Sequence, residues 1–245
     1  MDKILLTYQT SQREIFDELK RLRETKGKEV EVLKFIKDCL NLNHDTMVSL
    51  FWEEALTYQH LYMNDSKNKK ALKSMQETVL FAKFYVEKFK LERHLSRVYR
   101  FLGRVADYTK DYKKAILHYK KAIKFVHLDP EPFRILELEN FMVGSLIASG
   151  KIKVGYKKAL DLYSEFLKSK TGIALKRRDY QTWGIWLSGL VIRTIDAMLS
   201  HKKIDNLAFF EKWLKEVEEM LTGDGFSYRK AEIKELWTKI ESFRN

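Results

Sequence analysis

The chain has 245 residues, 45% of them hydrophobic, and a formal net charge of +12 at pH 7. This apolar content is sufficient for a continuous buried core, which excludes an intrinsically disordered chain. Only two prolines, Pro130 and Pro132, and ten glycines are present. Because all-β folds and typical α/β enzymes need more turn residues, the composition predicts helices throughout.

The sequence also constrains location and redox chemistry. The N-terminal segment 1–6 lacks an apolar run long enough for a signal peptide, and no segment approaches the roughly 20 apolar residues of a membrane span. We therefore expect a cytoplasmic protein that does not enter a membrane. The single cysteine, Cys39, cannot form an internal disulfide, and its apolar neighbours predict a buried structural thiol.

The positive charge is concentrated in two segments. Residues 91–127 carry ten Lys/Arg against three Asp/Glu, and residues 151–180 carry nine against three. The rest of the sequence sums to −1. Because the basic residues belong to these two segments, we expect an acidic partner to bind there.

Helix-period apolar spacing predicts about eleven helices. The first begins at the capping box Ser11-Gln12-Arg13-Glu14 and ends at the break Lys26-Gly27-Lys28. A second runs to about Leu42. A third opens at the polar residues 43–46, and Asn64-Asp65-Ser66 ends it.

The middle helices follow from similar signals. The fourth runs to about Lys90, and its apolar pattern includes Phe81. The fifth and sixth run from Leu91 to Tyr108 and from Asp111 to about His127. For the seventh, Asp129 is the predicted N-cap, with Pro130 at the first helical position.

Glycine-containing pairs delimit the later helices. Ser149-Gly150 is predicted to close the seventh helix, and Thr171-Gly172 to separate the eighth from a ninth. A tenth helix precedes the glycine-rich turn at 222–225. The eleventh has a narrow apolar stripe that includes Phe226 and Phe243, with charged flanks, and is predicted to cap the fold.

Residues 95–130 resemble a tetratricopeptide repeat, a helix–turn–helix unit of 34 residues. Aromatic and small residues stand at the intervals of that family's pattern, namely Tyr99, Leu102, Gly103, Tyr112, Ala115, Tyr119 and Ala122. The second half recurs 44 residues later as Tyr156, Ala159 and Tyr163, with Ile147 at the glycine position and Phe166 at the second alanine. Degenerate units are suggested around Trp52 and around Trp183 and Trp186.

The resemblance implies an all-α fold, a TPR-like α-solenoid that presents an extended binding surface. It implies a single domain over residues 1–245, a right-handed superhelix of about five antiparallel helix pairs and a C-terminal capping helix. The pairs are expected at 8–42, 44–90, 91–127, 130–169 and 173–222, with the cap at 226–244.

The sequence lacks the common enzyme signatures. Nucleotide-binding glycine motifs, H-E-x-x-H and G-x-S-x-G are absent, and the six histidines are scattered without a metal-ligand spacing. We therefore expect a non-catalytic protein without a cofactor, a metal or a small-molecule substrate.

A row of cations lies along one face of the fifth helix, comprising Arg93, Arg97, Arg100 and Arg104 and ending at Tyr108. In the register of the resemblance, Arg97, Arg100 and Arg104 fall where tetratricopeptide proteins line their concave groove. Guanidinium groups there would clamp the carboxylates of an acidic or C-terminal peptide, and Tyr108 would stack on it. The alternative is a solvated face whose arginine stems cover apolar surface.

Further along the predicted groove, small residues would leave a shallow pocket. The seventh helix contributes Phe141, Gly144 and Ala148, and the ninth contributes Gln181, Gly184 and Ser188. Of these, Phe141, Gly144 and Gln181 are predicted to contact the peptide. Alternatively, Phe141 and the two tryptophans belong to the core between helices.

A second basic patch surrounds the start of the ninth helix, with Lys168, Lys170, Lys176, Arg177 and Arg178. It predicts either contact with a nucleic-acid backbone or a solubilising surface. The sequence thus favours a protein-interaction adaptor for an acidic partner. A nucleic-acid-associated helical-repeat protein and a peptide-sensing regulator are the alternatives.

Overall fold

The computed structural model describes residues 12–37, 42–202, 206–223 and 225–244, without the side chains of 12–14, and its regular structure is entirely helical. Within these ranges there are twelve α-helices, two short 3-10 helices at Glu92–His94 and Val126–Leu128, and no strands. The α-helices are α1 (Gln12–Arg23), α2 (Glu29–Lys37), α3 (His44–Asn64), α4 (Lys69–Lys88), α5 (Leu95–Tyr108), α6 (Tyr112–Lys124), α7 (Arg134–Ala148), α8 (Ile152–Lys168), α9 (Lys170–Arg178), α10 (Tyr180–Ser200), α11 (Leu207–Met220) and α12 (Ser227–Arg244).

The protein divides into two compact units, Met1–His94 and Leu95–Asn245. In the first unit, α3 packs along α4, and α1 and α2 pack on α3. In the second, α5 pairs with α6 and α7 with α8, and α10 contacts α7, α8, α9, α11 and α12. The largest core cluster belongs to the second unit and is built around α10, where Trp183 is fully buried.

Small residues allow α5 and α6 to pack closely. A Cβ atom added at Gly103 would lie 2.4 Å from Cε1 of Tyr119, so α5 and α6 approach closely at this point. Ala115, Tyr119 and Ala122 are fully buried. In the pair α7 and α8, Ile147 packs against Gly155 of α8, so here the small residue lies on the second helix of the pair.

Several predicted helix ends are confirmed. Gly27 and Gly150 have φ of 94° and 87°, the left-handed conformation that glycine adopts at low cost, and each follows the end of a helix. Asn43 accepts a hydrogen bond from the Thr46 amide and caps α3, and Asp111 does the same for α6. The predicted capping box 11–14 and Cys39 lie outside the described residues or side chains.

The predicted start of the seventh helix is wrong. Helix α7 begins at Arg134, and the carboxylate of Asp129 accepts other hydrogen bonds instead of capping a helix. Its Oδ1 accepts from the amide of Glu131, and its Oδ2 accepts from Nε of Arg134 at 3.2 Å. This local turn replaces the first helical turn that Asp129 and Pro130 predict.

The predicted ninth helix is in fact two helices, α9 and α10. Ser169 caps α9 by accepting from the amide of Gly172, and Asp179 caps α10 by accepting from the amide of Thr182. Gly172 lies inside α9 and does not end a helix. Without a Cβ, it lets α9 pack against the end of α8, because an added Cβ would lie 2.4 Å from the carbonyl oxygen of Glu165.

Helix α12 buries one apolar stripe, as predicted, through Ile233, Leu236 and Ile240, and Phe226 just before the helix is buried as well. Phe243 is exposed, so the stripe is shorter than the sequence indicates. The expected charged flank also differs, because the side chains of Arg229 and Glu232 are largely buried. None of the helices in the described ranges is both long and apolar enough to span a membrane.

Candidate functional site

The predicted arginine row is turned into the protein at Arg100 and Arg104, whereas Arg93 precedes α5, is exposed and pairs with Asp45. Arg100 and Arg104 are only 6% and 7% exposed, and Arg97 is partly buried and has contacts of its own. The alternative prediction of a solvated face is therefore wrong at Arg100 and Arg104. Carboxylates on α5 and α7 receive these two guanidinium groups, so both are neutralised within the fold.

Glu137 of α7 is the main acceptor for this row. One of its carboxylate oxygens accepts from Nε and Nη2 of Arg100 at 2.9 and 2.5 Å, and the other accepts from Arg134 at 2.5 Å. Burial alone would raise the pKa of Glu137, but Arg100 and Arg134 outweigh it and lower that pKa to about 2. Glu137 is therefore ionised at neutral pH.

Arg104 belongs to a second buried network, centred on Asp107. Arg104 donates to Asp107 at 3.2 Å and to the Tyr108 hydroxyl at 2.6 Å. Tyr119 and Ser145 also donate to Asp107, each at 2.5 Å. Burial raises the pKa of Asp107, which Arg104 partly offsets, and burial raises the pKa of Tyr108. Because its pKa is raised, Tyr108 stays protonated at neutral pH, and its hydroxyl oxygen accepts the hydrogen bond from Arg104.

Three guanidinium groups surround the ring of Phe141. Those of Arg100, Arg104 and Arg193 lie 5.1, 4.6 and 4.6 Å from the ring centroid, which is within cation–π distance. Gly144, one turn further along α7, contacts the Arg193 side chain. The structure thus brings most of the predicted groove residues together around Phe141.

Arg193 of α10 differs from the other two arginines. Its Nη2 donates to the neutral side-chain oxygen of Asn140 at 2.6 Å, and its Nε, like that of Arg104, has no hydrogen-bond partner. No ion pair with a carboxylate is present for it among the described residues. Burial and the nearby positive charges of Arg229 and Arg104 lower the pKa of Arg193 to about 9. Its positive charge is therefore only weakly compensated.

The backbone of α10 makes room for this guanidinium. Gly189 lies one helical turn before Arg193, and a Cβ added there would stand 2.7 Å from Nη2 of Arg193. The motifs of the sequence do not single out Arg193. The only sequence signal for it is Gly189, because a glycine one turn before an arginine leaves room for the arginine side chain to fold back over its own helix.

Gln181 lies away from this cluster, and its face of α10 is covered. Its amide donates to the carbonyl oxygen of Gly225 at 3.1 Å. Gly184 packs against Phe226, and Ser188 is fully buried. The shallow pocket predicted beside these small residues is therefore filled by the start of α12. Trp183 and Trp186 belong to the core, as the alternative interpretation predicts.

The basic patch around α9 is exposed, but two of its cations have intramolecular partners. Arg178 donates to Glu131 and lies over the ring of Phe133, and Lys176 lies 4.5 Å from the ring centroid of Trp183. Lys168, Lys170 and Arg177 are exposed. The patch therefore presents fewer free charges than its sequence indicates.

Helix α6 presents a more continuous basic face than α9. Its exposed side chains include Lys113, Lys114, Lys120, Lys121 and Lys124. Within the part of the protein that the structure describes, none of these lysines forms an ion pair, and Lys121 lies over the ring of Tyr99 at 5.5 Å. This face could contact an extended anionic surface.

No metal centre is formed by the described residues, since no group of three or more His, Cys, Asp or Glu side chains among them is placed to hold a metal ion. Comparison of the sequence and structure with protein-family models, with curated proteins and with solved structures finds no match.

Proposed function

We propose that this protein is a non-catalytic, tetratricopeptide-like solenoid that binds an acidic segment of a partner protein at Arg193. A single observation carries the proposal: Arg193 is a partly buried guanidinium whose hydrogen-bond acceptor is a neutral amide. A guanidinium has five N–H donors in a fork that matches a carboxylate. The carboxylate of an aspartate, a glutamate or a peptide C-terminus would supply the negative charge that this guanidinium lacks.

The local charges favour a carboxylate as the ligand group. Arg104 is paired with Asp107, and Arg229 is paired with Glu232. Arg193 therefore leaves one positive charge in this cluster that no carboxylate of the described residues pairs with, and a single negative charge on the ligand would balance it. Tyr108 is partly exposed beside Arg104 and offers an aromatic contact to the same segment.

The cost of holding Arg193 supports a binding role. A partly buried cation without an ion pair lowers the stability of a fold, and the lowered pKa of Arg193 is consistent with that cost. A bound carboxylate would offset it. We therefore expect Arg193→Gln to leave the free energy of unfolding unchanged or raised while ligand affinity is lost.

The test uses the full-length protein and two labelled probes, a hexaglutamate peptide and a hexaglutamine peptide, with fluorescence anisotropy as the readout. Hexaglutamate should bind more tightly than hexaglutamine, and Arg193→Gln should weaken it by about tenfold or more, since charged hydrogen bonds contribute about 1.5–3 kcal/mol. Arg177→Gln is the control, an exposed arginine of the α9 patch, and should change affinity by less than about twofold. Equal losses in both variants would contradict the proposal.

A second candidate function is contact with a nucleic-acid backbone through the lysine face of α6. The absence of ion pairs for its five lysines in the described structure favours it. Binding of this kind falls steeply with salt, by several orders of magnitude between 50 and 200 mM for roughly 6–10 phosphate contacts. Labelled single-stranded RNA titrated at these two salt concentrations, with Lys120→Glu/Lys124→Glu as the variant, tests it.

A further inference from the structure

Helix α4, in the first compact unit, carries large apolar side chains on its outer face. Phe81 and Phe84 are 53% and 58% exposed, and Leu80 is 49% exposed. The apolar pattern of this helix includes Phe81, yet the buried side of α4 is formed by other residues, such as Met75 and Val79. Contiguous exposed apolar groups of this kind mark interaction surfaces, whereas single ones need no explanation.

Four rings, those of Phe51, Phe81, Tyr85 and Phe89, contact one another, and together with the exposed Phe84 of the same helix they define the aromatic surface. Phe51 of α3 packs edge-on against Phe81 and Tyr85 at centroid distances of 5.2 and 5.6 Å. Tyr85 contacts Phe89 at 4.5 Å. Because these four rings contact one another, that part of the aromatic surface is held in place before any partner binds, which limits the entropy cost of binding.

The dimensions of the aromatic surface suit a helix. Phe81, Tyr85 and Phe89 succeed one another at intervals of four residues and define a row along α4 that is about 12 Å long. A partner helix of two to three turns would cover this row with apolar residues spaced i, i+3 or i+4, and i+7. Leu80 and Phe84 form a second row on the neighbouring part of the same face.

The cations at one end of the aromatic surface indicate the charge of the partner. The ammonium group of Lys88 lies 5.9 Å from the ring centroid of Phe84 and 5.4 Å from that of Phe89. Neither Lys88 nor the exposed Lys90 forms an ion pair within the described ranges. Lys83, by contrast, is paired with Glu87. The charge that lies over the rings of Phe84 and Phe89 is therefore the positive charge of Lys88.

We infer that the aromatic surface docks an amphipathic helix of a partner protein whose polar flank is acidic. The apolar face of that helix covers the aromatic rows, and its carboxylates pair with Lys88 and Lys90. This inference is independent of Arg193, which lies in the second compact unit. Each can fail without the other.

The test compares two designed helical peptides that share one leucine face and carry either glutamate or lysine on the other face. Anisotropy should show tighter binding of the acidic peptide to the full-length protein. Phe84→Ala should weaken it by about tenfold or more, as expected for an aromatic anchor. Val154→Ala is the matched control, because Val154 is another exposed apolar residue on a helix, and it should leave affinity unchanged.

A charge variant completes the experiment. Lys88→Glu should remove the preference for the acidic peptide, and Arg193→Gln should leave that preference intact. Equal affinity for the two peptides, or equal losses in Phe84→Ala and Val154→Ala, would overturn the inference. So would a concentration-dependent dimer in sedimentation velocity that Phe84→Ala abolishes, since the occupant would then be a second copy of the protein.

Discussion

Arg100 donates two hydrogen bonds to a single carboxylate oxygen of Glu137, from Nε at 2.9 Å and from Nη2 at 2.5 Å, and both side chains are buried. The other oxygen of Glu137 accepts from Arg134. One carboxylate thus holds two guanidinium groups between α5 and α7. This arrangement removes Arg100 from the cations available to an acidic ligand and makes Glu137 critical for the fold.

The first prediction concerns the loss of this carboxylate. Glu137→Gln keeps the shape of the side chain but leaves two buried guanidinium groups without their shared charge. Breaking a buried ion pair typically costs about 3–5 kcal/mol, so the free energy of unfolding should fall by about that amount. Urea denaturation followed by circular dichroism measures it.

The control for this variant lies on the same helix. Glu139 pairs with Lys158 at 2.9 Å, and both side chains are partly exposed. Glu139→Gln should therefore cost less than about 1 kcal/mol, as is usual for exposed pairs. Similar losses in the free energy of unfolding of the two variants would show that burial does not increase the contribution of the Arg100–Glu137 pair to stability.

The second prediction concerns acid. The pKa of Glu137 is lowered from 4.5 to about 2 in the folded protein, so the unfolded protein binds this proton more readily. The stability that the lowered pKa represents, about 3 kcal/mol, is fully present above pH 4.5 and is lost as the pH falls toward 2. Urea midpoints of the wild type and Glu137→Gln, compared at neutral pH and near pH 3, should converge on acidification. A difference that is independent of pH would contradict this account.

The third prediction concerns the tight contact in the repeat. In Gly103→Ala, the new methyl group would meet the Tyr119 ring at 2.4–2.8 Å. Tyr119 is fully buried, and its hydroxyl is fixed by Asp107, so the ring has little room to move. Overpacking of this kind costs about 1–3 kcal/mol, which exceeds the roughly 1 kcal/mol gained in helix propensity. Thermal unfolding should show a lower Tm.

Gly144→Ala is the counterpart on α7. Its added Cβ would lie 3.5 Å from Cβ and Cδ of Arg193, an ordinary van der Waals distance. The propensity gain of up to about 1 kcal/mol should then dominate, and Tm should stay level or rise. A fall in Tm as large as that of Gly103→Ala would argue against the steric explanation.

The packing of Gly103 on Tyr119 could be predicted from the sequence, because residues at fixed intervals on neighbouring helices define it. The burial of Arg100 could not. Helical spacing fixes the face on which Arg100 lies, but the helix that covers this face, and the presence of Glu137 on it, depend on tertiary packing across 37 residues. The environment of Arg193 could not be predicted from the sequence either, because its neighbours Asn140 and Phe141 are more than 50 residues away in the chain.

The division of the predicted ninth helix has a more local cause. Ser169 and Asp179 are residue types that favour N-caps, but neither is among the predicted N-caps, and a break is predicted at Gly172 instead. In the structure, Gly172 lies within α9 because only a residue without a Cβ fits against Glu165 and Phe166 at the end of α8. A glycine required for close packing and a glycine that ends a helix cannot be distinguished until the neighbouring helix is known.

The fourth prediction addresses the proposed ligand site through the residue beneath Arg193. In Gly189→Ala, the new Cβ would come within 2.7 Å of Nη2 and 3.0 Å of Nη1 of Arg193. The guanidinium is the mobile end of the side chain, so it should move and lose its bond to Asn140 with little change in stability. Hexaglutamate affinity should fall several-fold.

If this loss acts through Arg193, the double variant Gly189→Ala/Arg193→Gln should bind no more weakly than Arg193→Gln alone, because effects on one shared contact are not additive. Additive losses would show that Gly189 acts on binding by another route.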